Sequence, residues 1–457
     1  MSSASLESDA DRHPFVSRPH RTLVVLTIPV LFSMLAEPVA GLVDTFFVAR
    51  LGAAELAALG AATTLLSSLF WVFNFLGIGT QTEVAHALGQ RDTHAARDAA
   101  SLALALAFGI GAALALLLWP LLGPLSAFMA DDPPVRDAME TYLAVRLLSA
   151  PAVLMTLAAF GALRGLQEMR TPLWVASAAN LVNAGLDPLL IFGAGPVPAL
   201  GVAGAAWASV VGQWLGALWA LAAVRKHLGL AARVPWGDAP GLFVVGRDLF
   251  LRTGLLTLFL LLATRTATRL GADAGAAHQA VRQVWLLTAF LLDSFAATAQ
   301  SLVGFFLGAT RVTLARRVAA IACAWGLATG VLFAGCMFAG EALTASLLVP
   351  PSARSLFPTA WYLLAAAQPL NALSFVTDGI HWGTRDYAYL RNAMLTATGT
   401  GLALLWGLSL LAALGGESLT GVWGVTGVWI SVRAGFGVAR IWPGIGKAPL
   451  RAQPPRP

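Results

Sequence analysis

Charge is what this sequence has least of. Asp, Glu, Lys and Arg together supply 11% of 457 residues, against 58% hydrophobic ones. A soluble domain this apolar has too few charged groups to cover its surface, whereas lipid demands an apolar exterior. Cysteine is nearly absent too. Cys323 and Cys336 lie thirteen residues apart in one apolar segment, which is neither a disulfide framework nor a metal-ligand spacing. His86, His278 and His381 are scattered, so no metal site and no cofactor is expected. There is no Walker loop, so the chain does not itself hydrolyse ATP. A membrane acyltransferase would need a catalytic His or Cys near the interface, and His381 alone is a candidate; an enzyme is not expected. The net charge of +6 does not point to nucleic acid, because the basic residues sit in short loops.

What the sequence does have is apolar runs of about 20 residues, enough to cross about 30 Å of hydrocarbon as a helix. Twelve are expected, at 23–49, 56–82, 98–122, 139–164, 172–193 and 199–224, then at 246–270, 277–307, 317–341, 357–383, 390–413 and 419–441. The polar stretch Met1 to Arg21 and the proline-interrupted span after it do not resemble a cleaved signal peptide. A basic linker is expected at 225–245, between lobes at 23–224 and 246–441. Tails flank them at 1–22 and 442–457, with the Pro- and Arg-rich stretch Lys447 to Pro457 expected to be disordered. With twelve spans, about 21 Lys and Arg fall in the tails and even-numbered loops and about 4 in the odd-numbered loops. Both termini are therefore expected to be cytoplasmic, in a cell inner membrane.

The two sets of spans repeat one another. Arg50-Leu51-Gly52-Ala53 recurs as Arg269-Leu270-Gly271-Ala272, an offset of 219 that also pairs Gln81 with Gln300 and Leu88-Gly89 with Leu307-Gly308. At offset 218, Pro151 matches Pro369, Gly161 matches Gly379 and Gly165 matches Gly383. The repeat holds six helices, an even number, so both copies cross the membrane in the same sense. The expected fold is an all-α membrane protein of two parallel six-helix lobes around a cleft, the plan of alternating-access transporters.

Ionisable groups inside spans are costly and therefore functional candidates. The first span holds Glu37 and Asp44, together with Pro29 and Pro38, which remove backbone donors and make it a candidate moving element. The fifth holds Asn180, Asn183 and Asp187; Asn183 and Asp187 are one helical turn apart. Asp44 and Asp187 fall at similar depth, and two close carboxylates in a low-dielectric pocket are not both comfortably ionised. Such a cluster can exchange a proton or bind Na⁺ through oxygens. The second lobe does not copy it: Ala263, Gly401 and Leu405 stand where Asp44, Asn183 and Asp187 stand in the first. Asp293 and Asp378 are second-lobe candidates instead: Asp293 and Gln300 are expected to line the cleft and Asp378 to lie nearer the cytoplasmic end, with Glu37 and Gln81 as further cleft candidates. The arginines of the spans, Arg265 and Arg282 among them, are expected to find partners or interfacial water.

Several motifs in order resemble a known family. Ile28-Pro29 through Leu42-Val43-Asp44-Thr45 and Ala49-Arg50-Leu51-Gly52 look like the first-helix signature of multidrug and toxic compound extrusion (MATE) transporters. Leu186-Asp187-Pro188 with Asn183, the run Gly201-Val202-Ala203-Gly204-Ala205-Ala206, and Ala276-Ala277-His278-Gln279 match as well. Asp293-Ser294-Phe295-Ala296 and Asp378-Gly379 are similar to the branch of DNA-damage-inducible protein F. The resemblance spans roughly residues 20–440. It implies a twelve-helix exporter, expected as a monomer, that exchanges a cation for lipophilic or cationic organic molecules. It implies that Asp44 is the main proton carrier, that Asn183 and Asp187 support it, and that protonation bends the first helix at Pro29. Na⁺ coupling at the same oxygens and a lipid-linked precursor flippase are the alternatives.

Overall fold

The computed structural model describes residues 10–412 and 418–451. Among them the only extended pairing is one bridge between Ala194 and Val197. The long helices of the first half are α1 Pro19–Val48, α2 Ala53–Val72, α3 Phe75–Gly89, α4 Thr93–Leu118, α5 Pro133–Arg146, α6 Ala150–Gly165, α7 Arg170–Phe192 and α8 Val202–Leu228. Those of the second half are α9 Ala239–Arg269, α10 Ala272–Gly308, α11 Val312–Leu348, α12 Phe357–Gly383, α13 Tyr387–Ala412 and α14 Leu419–Ile441. The pairs α2/α3 and α5/α6 are each one span broken by a short turn, so the fold is the expected twelve-span, all-α membrane architecture. Ten spans are long and apolar enough to cross on their own composition. The other two, α9 and α12, have the length but carry buried polar groups, including Arg252 and Asp378.

The internal repeat is visible in backbone geometry. Among the described residues, four other than glycine adopt a left-handed conformation: Arg91, Gln167, Thr310 and Arg385, just past the ends of α3, α6, α10 and α12. They are related by offsets of 219 and 218, like the sequence motifs. Each is followed by an N–H that reaches back to close the helix: Asp92 to Ala87, Glu168 to Leu163, Arg311 to Phe306 and Asp386 to His381. Helix crossings repeat as well. A Cβ on Gly165 would lie 2.7 Å from the Gln81 carbonyl oxygen, and one on Gly383 would lie 2.6 Å from that of Gln300. Gly161 against Gly77 and Gly379 against Ala296 are tighter still. Only glycine lets these backbones touch, so α6 packs on α3 as α12 packs on α10.

Two compact units result, Ile28–Gly246 and Met1–Thr27 with Arg247–Pro457. These bounds differ from the expected lobes at 23–224 and 246–441. The changeovers fall within helices, just before Pro29 in α1 and at Gly246 in α9, again 219 residues apart. Packing explains them. Phe15 and Leu23 are fully buried in a cluster with Val303, Phe306 and Val318 of the second unit, and the Thr27 hydroxyl lies 3.1 Å from that of Thr298. The start of α9 belongs to the first unit, with Leu242 against Gly79 and Gly246 against Phe75.

The expected linker at 225–245 is shorter, since α8 runs to Leu228 and α9 begins at Ala239. Of the stretch expected to be disordered, Lys447 to Arg451 is described and packs on the second unit through Leu450. A helical turn at Pro14–Ser17 precedes α1, and Leu450 is buried in the same cluster as Phe15. The remaining tail residues, 1–9 and 452–457, lie outside the described residues.

Candidate functional site

Close approach of α7 and α8 builds the site. Gly204, Gly212 and Gly216 line the face of α8 that meets α7; a Cβ on Gly212 would lie 2.7 Å from the Ala179 carbonyl oxygen. That approach brings Ser209 of α8 to Asp44 of α1, with its hydroxyl 3.5 Å from Asp44 Oδ2. Asn183 of α7 completes the contact. With its amide turned so that both ends are satisfied, it donates to Asp44 Oδ1 at 2.9 Å and its oxygen faces Ser209. Asp44, Asn183 and Ser209 are all buried.

Asp187, one turn along α7, is 0% exposed and its carboxyl faces that of Asp44. Among the described residues no protein donor reaches either Asp187 oxygen. A buried carboxylate without donors is costly, and a second carboxylate beside it raises the cost. A proton held between the two acids relieves both. Tyr142 and Arg146 of α5 border the cluster, and Arg146 is the cation whose field reaches Asp44 and Glu37.

The other expected residues divide. Asn180 does not join the acids: its amide donates to the Ala36 carbonyl at 2.6 Å, holding α1 beside Pro38. Glu37 is exposed, two turns from Asp44 on α1. Pro29 and Pro38 lie inside a continuous α1. Gln81 and Gln300 are buried at the paired glycine crossings. Asp378 is an ion-pair partner, bound by Arg252 and by Arg433 at 2.9 Å, all three buried. Arg433 also lies 4.6 Å over the Trp429 ring, and the half-buried Asp293 acts on it electrostatically. Ser209, Tyr142, Arg146, Arg252 and Arg433 were not singled out by sequence. The glycine stripe of α8 is the one signal that could have found Ser209.

The second unit fills the equivalent place with hydrocarbon. Phe259 and Trp429 stack there at 4.6 Å, a Cβ on Gly401 would lie 2.6 Å from the Phe259 ring, and Ala263 and Leu405 are buried. The histidines serve packing: His278 pairs with Thr264 at 3.1 Å and His381 with the Gly437 carbonyl at 3.1 Å.

The profile of the MatE family matches twice, over residues 29–189 and 249–411, once in each half. The chain is 30% identical over 453 residues to Protein DETOXIFICATION 44, chloroplastic, of Arabidopsis thaliana, covering 95% of this chain and 84% of that protein. It is 29% identical over 438 residues to DNA damage-inducible protein F of Escherichia coli strain K12, covering 94% and 93%. Its fold matches a solved multidrug resistance MATE family transporter in an outward-facing conformation, with a TM-score of 0.83 at 19% identity, covering 94% and 97%.

Proposed function

Because the chain belongs to the MATE family of multidrug and toxin efflux transporters, we propose that it exports small organic molecules in exchange for protons held between Asp44 and Asp187. The observation that carries this reading is the buried Asp187 carboxyl, which finds no donor among the described residues and faces a second acid. With both acids ionised, two like charges share a low-dielectric pocket, and one proton between them removes the conflict. In the deprotonated state Asn183 and Ser209 hold the Asp44 charge. The second unit has hydrocarbon at the matching position, which favours a single coupling site in the first.

In this reading protonation releases Asp44 from its partners on α7 and α8, and α1 rearranges about Pro29. Substrate leaves, and loss of the proton restores the cluster. The chain acts as a monomer in the cell inner membrane with both termini cytoplasmic, and its substrates are lipophilic or cationic. A lipid-linked precursor flippase would need a strongly basic cavity, and here Arg252 and Arg433 share Asp378 as a counter-ion. Because Asp44, Asp187, Asn183 and Ser209 are all oxygen donors, Na⁺ is the competing ion. Proteoliposomes separate the two. A pH gradient at equal sodium should drive substrate uptake, and a sodium gradient at fixed pH should not. Transport driven by sodium alone would overturn proton coupling.

A further inference from the structure

Two arginines near the end of α9 stand without a counter-ion among the described residues. Arg265 and Arg269 are one helical turn apart and exposed, and among the described residues no side chain pairs with either guanidinium. The contrast with their neighbours is clear. Arg282 donates to Gln279 at 3.3 Å, and Asp273, the nearest acid along the chain, accepts from Ser352 at 2.6 Å. The internal repeat supplies a sharper control. Arg50, the counterpart of Arg269, lies 4.1 Å over the ring of Phe46. The counterpart of Phe46 is Arg265. Where one copy covers its arginine with an aromatic ring, the other sets a second arginine beside it.

These arginines, with Leu262, Thr266 and Ser409, line an open space of about 220 Å³ between α9 and α13. Thr266 and Ser409 give their hydroxyl hydrogens to Leu262 and Leu405 carbonyls, so the free donors are the guanidinium N–H groups. Below Arg265 on the same face of α9 are the exposed Leu258 and Leu261, and Trp406 of α13 is 70% exposed one turn from Ser409. Charged donors at a helix end above an apolar, outward-facing strip match a lipid in both parts.

We propose that Arg265 and Arg269 bind the phosphate of an anionic phospholipid, with its acyl chains along Leu258 and Leu261. Paired guanidinium forks suit phosphate oxygens, and cations at an exposed helix end that find no partner among the described residues are free to take an anion from the bilayer. One phosphate does not neutralise two arginines, so a headgroup with net negative charge is preferred over one that brings its own cation. The site lies on the second unit alone and does not depend on proton coupling.

Native mass spectrometry of the delipidated full chain, titrated with phosphatidylglycerol, phosphatidylcholine or inorganic phosphate, tests this. Wild type should retain phosphatidylglycerol in preference to phosphatidylcholine, and inorganic phosphate at equal concentration should not displace it. Arg265→Gln with Arg269→Gln should weaken phosphatidylglycerol binding about 30-fold, at about fivefold for each cation near a membrane surface. Arg265→Phe recreates the pairing of Arg50 with Phe46, a packing this fold already accommodates, and should also lose the preference. Arg50→Gln should leave it unchanged. Equal binding of the two lipids, unaltered binding in both Arg265 variants, or displacement by free phosphate would overturn the proposal.

Discussion

Asp378 and Asp44 are both buried acids, yet their surroundings differ. Asp378 meets two buried arginines, so replacing it with asparagine leaves two cations with one neutral acceptor. Asp378→Asn should lower stability by about 3–5 kcal/mol, read as a fall in the thermal unfolding midpoint in detergent, while the folded fraction still couples transport to protons. A loss of coupling at unchanged stability would assign Asp378 to the ion site instead. Asp44, Asn183 and Asp187 were legible because polar groups are conspicuous in apolar helices. Ser209 was not, since serine is common in spans, where it bonds its own helix. Arg146 and Tyr142 were hidden for another reason: only the packing of α5 brings them beside α1.

At the scale of elements, the crossings of α3 with α6 and of α10 with α12 are built alike. Gly161→Ala and Gly379→Ala should therefore each destabilise by about 1–3 kcal/mol or more, by similar amounts, in thermal unfolding. A tolerated substitution at either position would break the equivalence of the two copies. In α1, Pro29 withholds a backbone donor where the helix passes from one compact unit to the other. Pro29→Ala restores that bond and should slow substrate exchange in proteoliposomes while equilibrium substrate binding stays unchanged. An unchanged exchange rate would remove Pro29 from the moving parts. Helix positions were readable from apolar run length, α12 and α14 to the residue, while other ends, such as Gly89 and Leu348, lie up to seven residues beyond the expected spans. Which unit the ends of α1 and α9 join was not readable. Their membership of a unit depends on contacts with residues more than a hundred positions away, such as Thr27 with Thr298 and Gly246 with Phe75.

For the whole molecule, the repeat provides two six-helix copies, and they diverge where the chemistry lies. One copy buries two acids with an amide and a hydroxyl; the other stacks Phe259 on Trp429 in the matching place. With coupling proposed for the first copy, the asymmetry predicts that one substitution there abolishes it. The direct measurement is proton release from de-energised proteoliposomes when a transported organic cation is added, in wild type and in Asp44→Asn. Wild type should release protons as substrate binds. Asp44→Asn should bind substrate and release none, with its unfolding midpoint close to that of wild type. Undiminished proton release from Asp44→Asn would contradict the account.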